Sequence, residues 1–205
     1  MKLIDLSHPI SNAMPTYPSD PDISIIREKD IDTDNTLLHS FKMGTHTGTH
    51  LDVPAHIILG GKTLNNFSLT SFTGTAVKVD EISYNSLEKL EGVVEGVIYD
   101  TGWYRHFNDA EVFYGPDRPQ IPEKLIEKVL ELKVNFFGCD LPSVDASSTK
   151  EKPVHRALLG KNVVIYELLN NLGQLPTLKP FQFYGFPISF KDLDGSPVRA
   201  VALLD

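Results

Sequence analysis

Apolar and polar positions along this chain change over in short bursts, not in long periodic runs. Stretches rich in Val, Ile, Phe and Tyr, closed by turn residues, predict strands at Lys2–Leu6, Ile23–Arg27, Leu37–Met43, Ala76–Asp80 and Gly96–Asp100. The same pattern predicts strands at Asn135–Cys139, Val163–Tyr166, Gln182–Ile188 and Val198–Leu204. One segment has a helical period instead. Across Pro122–Lys133, Ile121, Leu125, Val129 and Leu132 recur at helical spacing while Glu and Lys fill the other face, and Pro122 is expected in the first turn. Shorter helices are predicted at Asn65–Phe72, Ser83–Leu90 and Val154–Leu159.

Helices scattered among many strands indicate an α/β or α+β layered domain, although propensity does not give the strand order. No internal repeat, low-complexity tract or linker divides the chain, so residues 1–205 read as a single domain. A hydrophobic fraction of 41% and a charged fraction of 22% are those of an ordinary globular protein. The net charge of -8, without a dense basic run, argues against a nucleic-acid partner. No segment approaches the apolar length of a membrane helix, and Asp5 and His8 interrupt the N-terminal segment where a leader would be apolar. The single Cys139 sits in the apolar run VNFFGC and reads as strand packing; a fold without a disulfide fits a cytoplasmic location.

The chemistry concentrates in His46-Thr47-Gly48-Thr49-His50-Leu51-Asp52-Val53-Pro54-Ala55-His56. Three of the seven histidines fall in this stretch, where uniform scattering would put about 0.4. Imidazole is the commonest metal ligand, and Asp52 adds an oxygen donor. Two His and one carboxylate leave positions open on a metal, as a catalytic site requires. Gly48 permits a tight turn between the histidines, and Pro54 stiffens the exit. His56 follows closely enough to serve as a proton carrier or as a further ligand. Farther along, Asp140 and Asp145 follow a predicted strand, His155 opens a helical run and Glu167 ends another strand. Carboxylates at strand ends are where α/β folds place functional groups. Buried in VVIYELL, Glu167 needs a partner, either a metal ion or an Arg or Lys. His8 and His39 read as structural and His106 as a surface residue. Trp103, Tyr104 and Phe107 read as packing, and Arg199 as the partner of a carboxylate near the C-terminus.

These residues resemble the cyclase-like metal-dependent hydrolases, the family of bacterial kynurenine formamidases and isatin hydrolases. The resemblance runs from Asp5-Leu6-Ser7-His8-Pro9-Ile10 through Pro15-Thr16-Tyr17-Pro18 and the signature at 46–56. It resumes at Asp140-x-Pro-Ser-x-Asp, at His155 with Glu167, and ends near Ser196–Ala200. It implies a swivelling β/β/α fold in the α/β class. It implies that His46, His50 and Asp52 hold one divalent metal, that Asp52 bridges to a second held by His155 and Glu167, and that His56 is the catalytic acid/base. Zinc is the default metal and manganese an alternative. The implied reaction is hydrolysis of the C–N bond of a small amide, an aryl formamide such as N-formylkynurenine or a cyclic amide such as isatin. Tyr17 stands where the formamidases carry a tryptophan in the aryl pocket. It keeps an aromatic face but is smaller and adds a hydroxyl, which widens the expectation to other small amides and lactones. A metal-dependent lyase or cyclase and a non-catalytic binding protein are the alternatives. The resemblance also implies a homodimer or homotetramer, with residues near Tyr17 reaching a neighbour's pocket.

Overall fold

In a computed structural model, which describes residues 1–89 and 94–204, the strands form one large mixed sheet and one hairpin. In chain order the strands are β1 (Lys2–Asp5), β2 (Ser24–Lys29), β3 (Leu38–Lys42), β4 (His50–Asp52), β5 (Thr73–Val79) and β6 (Gly96–Tyr99). They continue with β7 (Phe136–Cys139), β8 (Val164–Glu167), β9 (Pro180–Tyr184), β10 (Gly195–Pro197) and β11 (Val201–Leu204). The helices are α1 (Ile31–Asp34), α2 (Ala110–Phe113), α3 (Glu123–Leu132) and α4 (Pro153–Leu159). The sheet runs β1-β11-β9-β5-β6-β7-β8-β4-β10, with β5 to β8 parallel and every other pair antiparallel. This is the swivelling β/β/α architecture of an α/β domain: a curled mixed sheet, or half-barrel, with peripheral helices.

The parallel centre explains the unbroken apolar runs. β6, β7 and β8 are buried along their whole length, as parallel strands covered on both faces must be. On one face α3 and α4 pack Leu125, Ile126, Val129, Leu158 and Leu159 against Val77, Val97, Phe137 and Ile165. Each fully buried apolar side chain contributes about 1.5–3 kcal/mol before its ordering cost. On the other face the sheet curls over a second core that includes Leu51, Phe136, Tyr166 and Phe183.

The predicted strands all form, with ends shifted by a few residues, and α3 and α4 form where the periodicity puts them. Pro122 is the N-cap of α3, extended at φ −60, ψ 131, and not part of its first turn. The helix expected at Asn65–Phe72 is two 3-10 turns, Leu64–Asn66 and Leu69–Phe72, separated where Phe67 is extended. The helix expected at Ser83–Leu90 is a 3-10 run over Tyr84–Lys89, and Leu90 lies outside the described residues. β4 and β10 were not predicted. Arg199 pairs with Asp5 of β1, at the N-terminal end, through bonds of 2.8 and 2.6 Å; antiparallel β1 and β11 bring the two ends of the chain together. The β2–β3 hairpin is largely exposed, with Ile26, Leu38 and Phe41 in contact with solvent. Among the described residues no helix is long and apolar enough to cross a membrane.

Candidate metal centre

β4 is only His50-Leu51-Asp52, yet it sets the site. Strand side chains alternate in direction, so His50 and Asp52 share one face while Leu51 enters the core behind. β4 lies antiparallel to β8, and the register puts His50 directly across from Glu167. From the same face, α4 brings His155 over β8. His46 is returned to this face by the turn at Gly48, whose φ of 63 is a left-handed conformation that favours glycine.

Asp52 is the centre. Its Oδ1 lies 2.7 Å from His46 Nδ1 and 3.4 Å from His50 Nε2, and its Oδ2 lies 3.4 Å from His155 Nε2. Glu167 lies 3.5 Å from His50 Nε2 and 3.4 Å from His155 Nε2, and its Oε1 accepts from Val144 N at 2.7 Å. In each of these three imidazoles the other nitrogen is engaged outside the cluster. His50 Nδ1 donates to Gly48 O at 2.8 Å, His155 Nδ1 to Asp145 Oδ2 at 2.6 Å, and His46 Nε2 to Asp194 Oδ2 at 2.8 Å. Metal-bound histidines are held in this way, one nitrogen inward and the other fixed by a carbonyl or carboxylate.

Two ligand groups result, His46–Asp52–His56 and His50–Asp52–Glu167, each with its donor atoms within 4.8 Å of one another. They share Asp52. His155 stands against both carboxylates, and His56 is grouped with His46, its ring 4.0 Å away. A cation suits these donors on a specific count: Asp52 Oδ2 is enclosed and accepts no hydrogen bond among the described residues, a costly state for a buried carboxylate. Burial disfavours charge on His46, His50, Asp52, His155 and Glu167, but mutual attraction overcomes it. The charges and hydrogen bonds of Asp52 and Asp194 raise His46 to about 10. Those of Asp52 and Glu167 raise His50 to about 9. His155 is likewise raised well above its ordinary value by Asp145, Asp52 and Glu167. Against their own burial, Asp52 is held well below the carboxylate range by His46 and His155, and Glu167 is lowered by His155 and His50. A cage that holds protons between carboxylates offers the same electrostatics to divalent cations, which displace those protons on binding.

The cluster floors a cavity of about 300 Å³, lined also by Tyr17, Tyr114, Ile57, Ser143, Lys152 and Leu168. That volume is at the lower end for small-molecule sites. Tyr17 lines the cavity of its own chain, edge to face with Tyr114 at 5.7 Å, and Tyr114 Oη donates to Pro15 O at 3.2 Å, which pins the Tyr17 segment.

Other marked residues are placed elsewhere. Asp140 accepts from Thr101 N and Oγ1 and from Tyr104 N, and ties two loops together outside the ligand groups. Cys139 is buried, His106 and His39 are exposed, and Phe107 is in the core, stacked on His8 at 3.6 Å. Sequence reasoning missed Asp194 and Lys152 and gave Asp145 no role. Asp145 has a signal in the run Asp140-x-Pro-Ser-x-Asp, and it accepts from Val154 N and His155 N at the start of α4. Asp194 has none; only the pairing of β10 with β4 brings it to the site.

Known proteins share this frame. The family model described as "Putative cyclase" matches residues 4–146. A kynurenine formamidase of Salinibacter ruber is 30% identical over 218 residues, covering 98% of this chain and 97% of its own. One of Bacillus anthracis is 30% identical over 211 residues, covering 98% and 96%. Among solved structures, an isatin hydrolase bound to the product analogue thioisatinate has a TM-score of 0.87 at 22% identity, over 99% of this chain and 92% of that one. Isatin hydrolase A from Ralstonia solanacearum has a TM-score of 0.82 at 24% identity, over 100% and 92%. At these identities the solved structures attest the fold, and the matched sequence carries the kinship. The chain belongs to the cyclase family, together with kynurenine formamidases.

Proposed function

We propose that this protein is a divalent-metal-dependent hydrolase that cleaves the C–N bond of a small amide, an aryl formamide such as N-formylkynurenine or a cyclic amide such as isatin. The observation that carries this reading is the arrangement of three imidazoles, each with one nitrogen on the Asp52–Glu167 pair and the other held from outside, at the floor of a cavity. His46, His50, Asp52, His155 and Glu167 would hold two divalent ions, with zinc the default and manganese the alternative. Such ions, when bound, supply Lewis acidity toward a carbonyl and water of lowered pKa.

The chain's own residues do the rest. His56 lines the cavity beside the ligands and is more open than His50 or His155. It takes the proton from the attacking water and returns it to the leaving nitrogen, which is too basic to depart as an anion. Tyr17 and Tyr114 offer aromatic surface to an aryl group. Lys152, at the cavity wall, gives a cation to the carboxylate that C–N cleavage produces. The exposed Ile26, Leu38 and Phe41 support association of copies into a homodimer or homotetramer. A cytoplasmic, single-domain protein completes the reading.

The test is metal analysis of the purified chain alongside turnover of N-formylkynurenine, isatin, cyclic imides and lactones. Hydrolysis of an amide, abolished by a chelator and restored by zinc or manganese, is the expected result. A metal-loaded chain that turns over only lactones, or none of the panel, overturns the amide reading.

A further inference from the structure

β10 is an edge strand, and its pairing with β4 sets Gly195 opposite Asp52. Asp194 therefore arrives beside the metal centre, although 148 positions separate it from His46 in the chain. Its position is fixed from several sides. Oδ1 accepts from Thr45 Oγ1 at 3.2 Å, and the backbone carbonyl accepts from Val53 N at 3.0 Å. Oδ2 accepts from His46 Nε2 at 2.8 Å and meets His56 Nδ1 at 3.4 Å.

A hydrogen bond at one imidazole nitrogen decides what the other presents. With Nε2 engaged, His46 turns Nδ1 on Asp52. With Nδ1 turned on Asp194, His56 keeps Nε2 as the nitrogen without a protein partner among the described residues. His50 and His155 have holders of their own, Gly48 O and Asp145. We infer that Asp194 is a positioning residue for two imidazoles at once: a single carboxylate oxygen keeps a metal ligand and the proton carrier in fixed relation. Asp145 serves the other half of the centre, through His155 alone.

The half of this inference that concerns His56 rests on the hydrolase reading; the half that concerns His46 rests on the donor set. The test separates them. Zinc and manganese are titrated calorimetrically into the metal-free full chain as wild type, Asp194→Asn, Thr45→Val and Asp145→Asn. Asp194→Asn is expected to weaken one of two binding events by roughly 10–100-fold, the usual effect of losing an outer partner, and to leave the other within about twofold. Asp145→Asn is expected to weaken the other event. Thr45→Val touches neither imidazole and is expected to weaken the same event as Asp194→Asn by a smaller factor. At saturating metal, Asp194→Asn should then lower kcat with KM nearly unchanged. Wild-type affinity for both ions in Asp194→Asn overturns the inference. Equal weakening of both events together with a lowered Tm also overturns it, since that is a general structural role. Altered titration with unaltered kcat removes His56 and leaves His46. If the wild type turns over no amide, the hydrolase reading fails while the titration still decides for His46.

Discussion

The ring of His46 occupies the space that a side chain on residue 195 would need. A Cβ at Gly195 would stand 2.7 Å from His46 Cε1 and 2.7 Å from Leu51 O. Moving the imidazole relieves only the first contact; the carbonyl belongs to the β4 backbone, so β10 must shift from β4 as well. Gly195→Ala should therefore displace His46 from Asp52 at an overpacking cost of about 1–3 kcal/mol. Circular dichroism should show the fold retained while metal titration loses strength in one binding event. Unchanged metal binding would show that the ring relocates without consequence.

Sharing of Asp52 sets the stoichiometry. The wild type should bind two divalent ions per chain, Asp52→Asn should lose both, and Glu167→Gln should lose mainly one. Ions that bind only the folded chain stabilise it by mass action, so removing them should lower Tm in the wild type more than in Asp52→Asn. A single ion at saturating zinc and manganese would disprove the shared carboxylate.

His56 and His50 should separate when metal content and rate are measured on the same samples. An acid/base acts in the transition state, whereas a ligand holds the metal in every state. His56→Ala is expected to keep bound metal and lose about 10²–10⁴-fold in rate. His50→Ala should lose metal and rate together. His56 lies within ligating distance of His46 and Asp52, so a metal-free His56→Ala, or one rescued by excess metal, would make it a ligand.

His8 provides a pH signature away from the metal. Its ring is buried on Phe107 with Nε2 unpartnered among the described residues, and burial lowers its pKa from 6.5 to about 4. As pH falls, the unfolded chain takes up the proton first. The stability associated with neutral His8 is thus complete above pH 6.5 and is lost as pH falls toward 4, by an amount on the order of 3 kcal/mol. In chelator, urea unfolding of His8→Leu should show a shallower loss between these limits than the wild type. Parallel curves would place the acid sensitivity in another group.

Tyr17 should set preference and not rate. A larger aromatic surface gives an aryl group more contact, so Tyr17→Trp should raise turnover of aryl formamides relative to small aliphatic amides. An unchanged ratio would remove Tyr17 from substrate contact.

Much of the site was legible because histidine is scarce and chemically committed. Three imidazoles and a carboxylate within one short segment have few uses other than binding a cation. The central strands were legible because parallel strands covered on both faces need continuous apolar runs, as in Val164–Glu167. β4 and β10 were not, because three-residue strands are too short to display alternation. Their stability comes from neighbours: β4 exists because β8 and β10 flank it.

The sequence by itself determined which groups are available: the donors at 46, 50, 52 and 56, the carboxylate at the end of β8, the amphipathic face of α3. Composition and local period record these because they depend on residue type and near spacing. Tertiary structure alone decided which nitrogen of each imidazole faces Asp52, and that Asp194, Asp145 and the Gly48 carbonyl hold the opposite nitrogens. It also decided that Arg199 meets Asp5 and not a neighbour near its own end of the chain. These are contacts between residues distant in sequence, fixed by strand register. Register follows from how the whole sheet buries its apolar faces, a condition that no local segment contains.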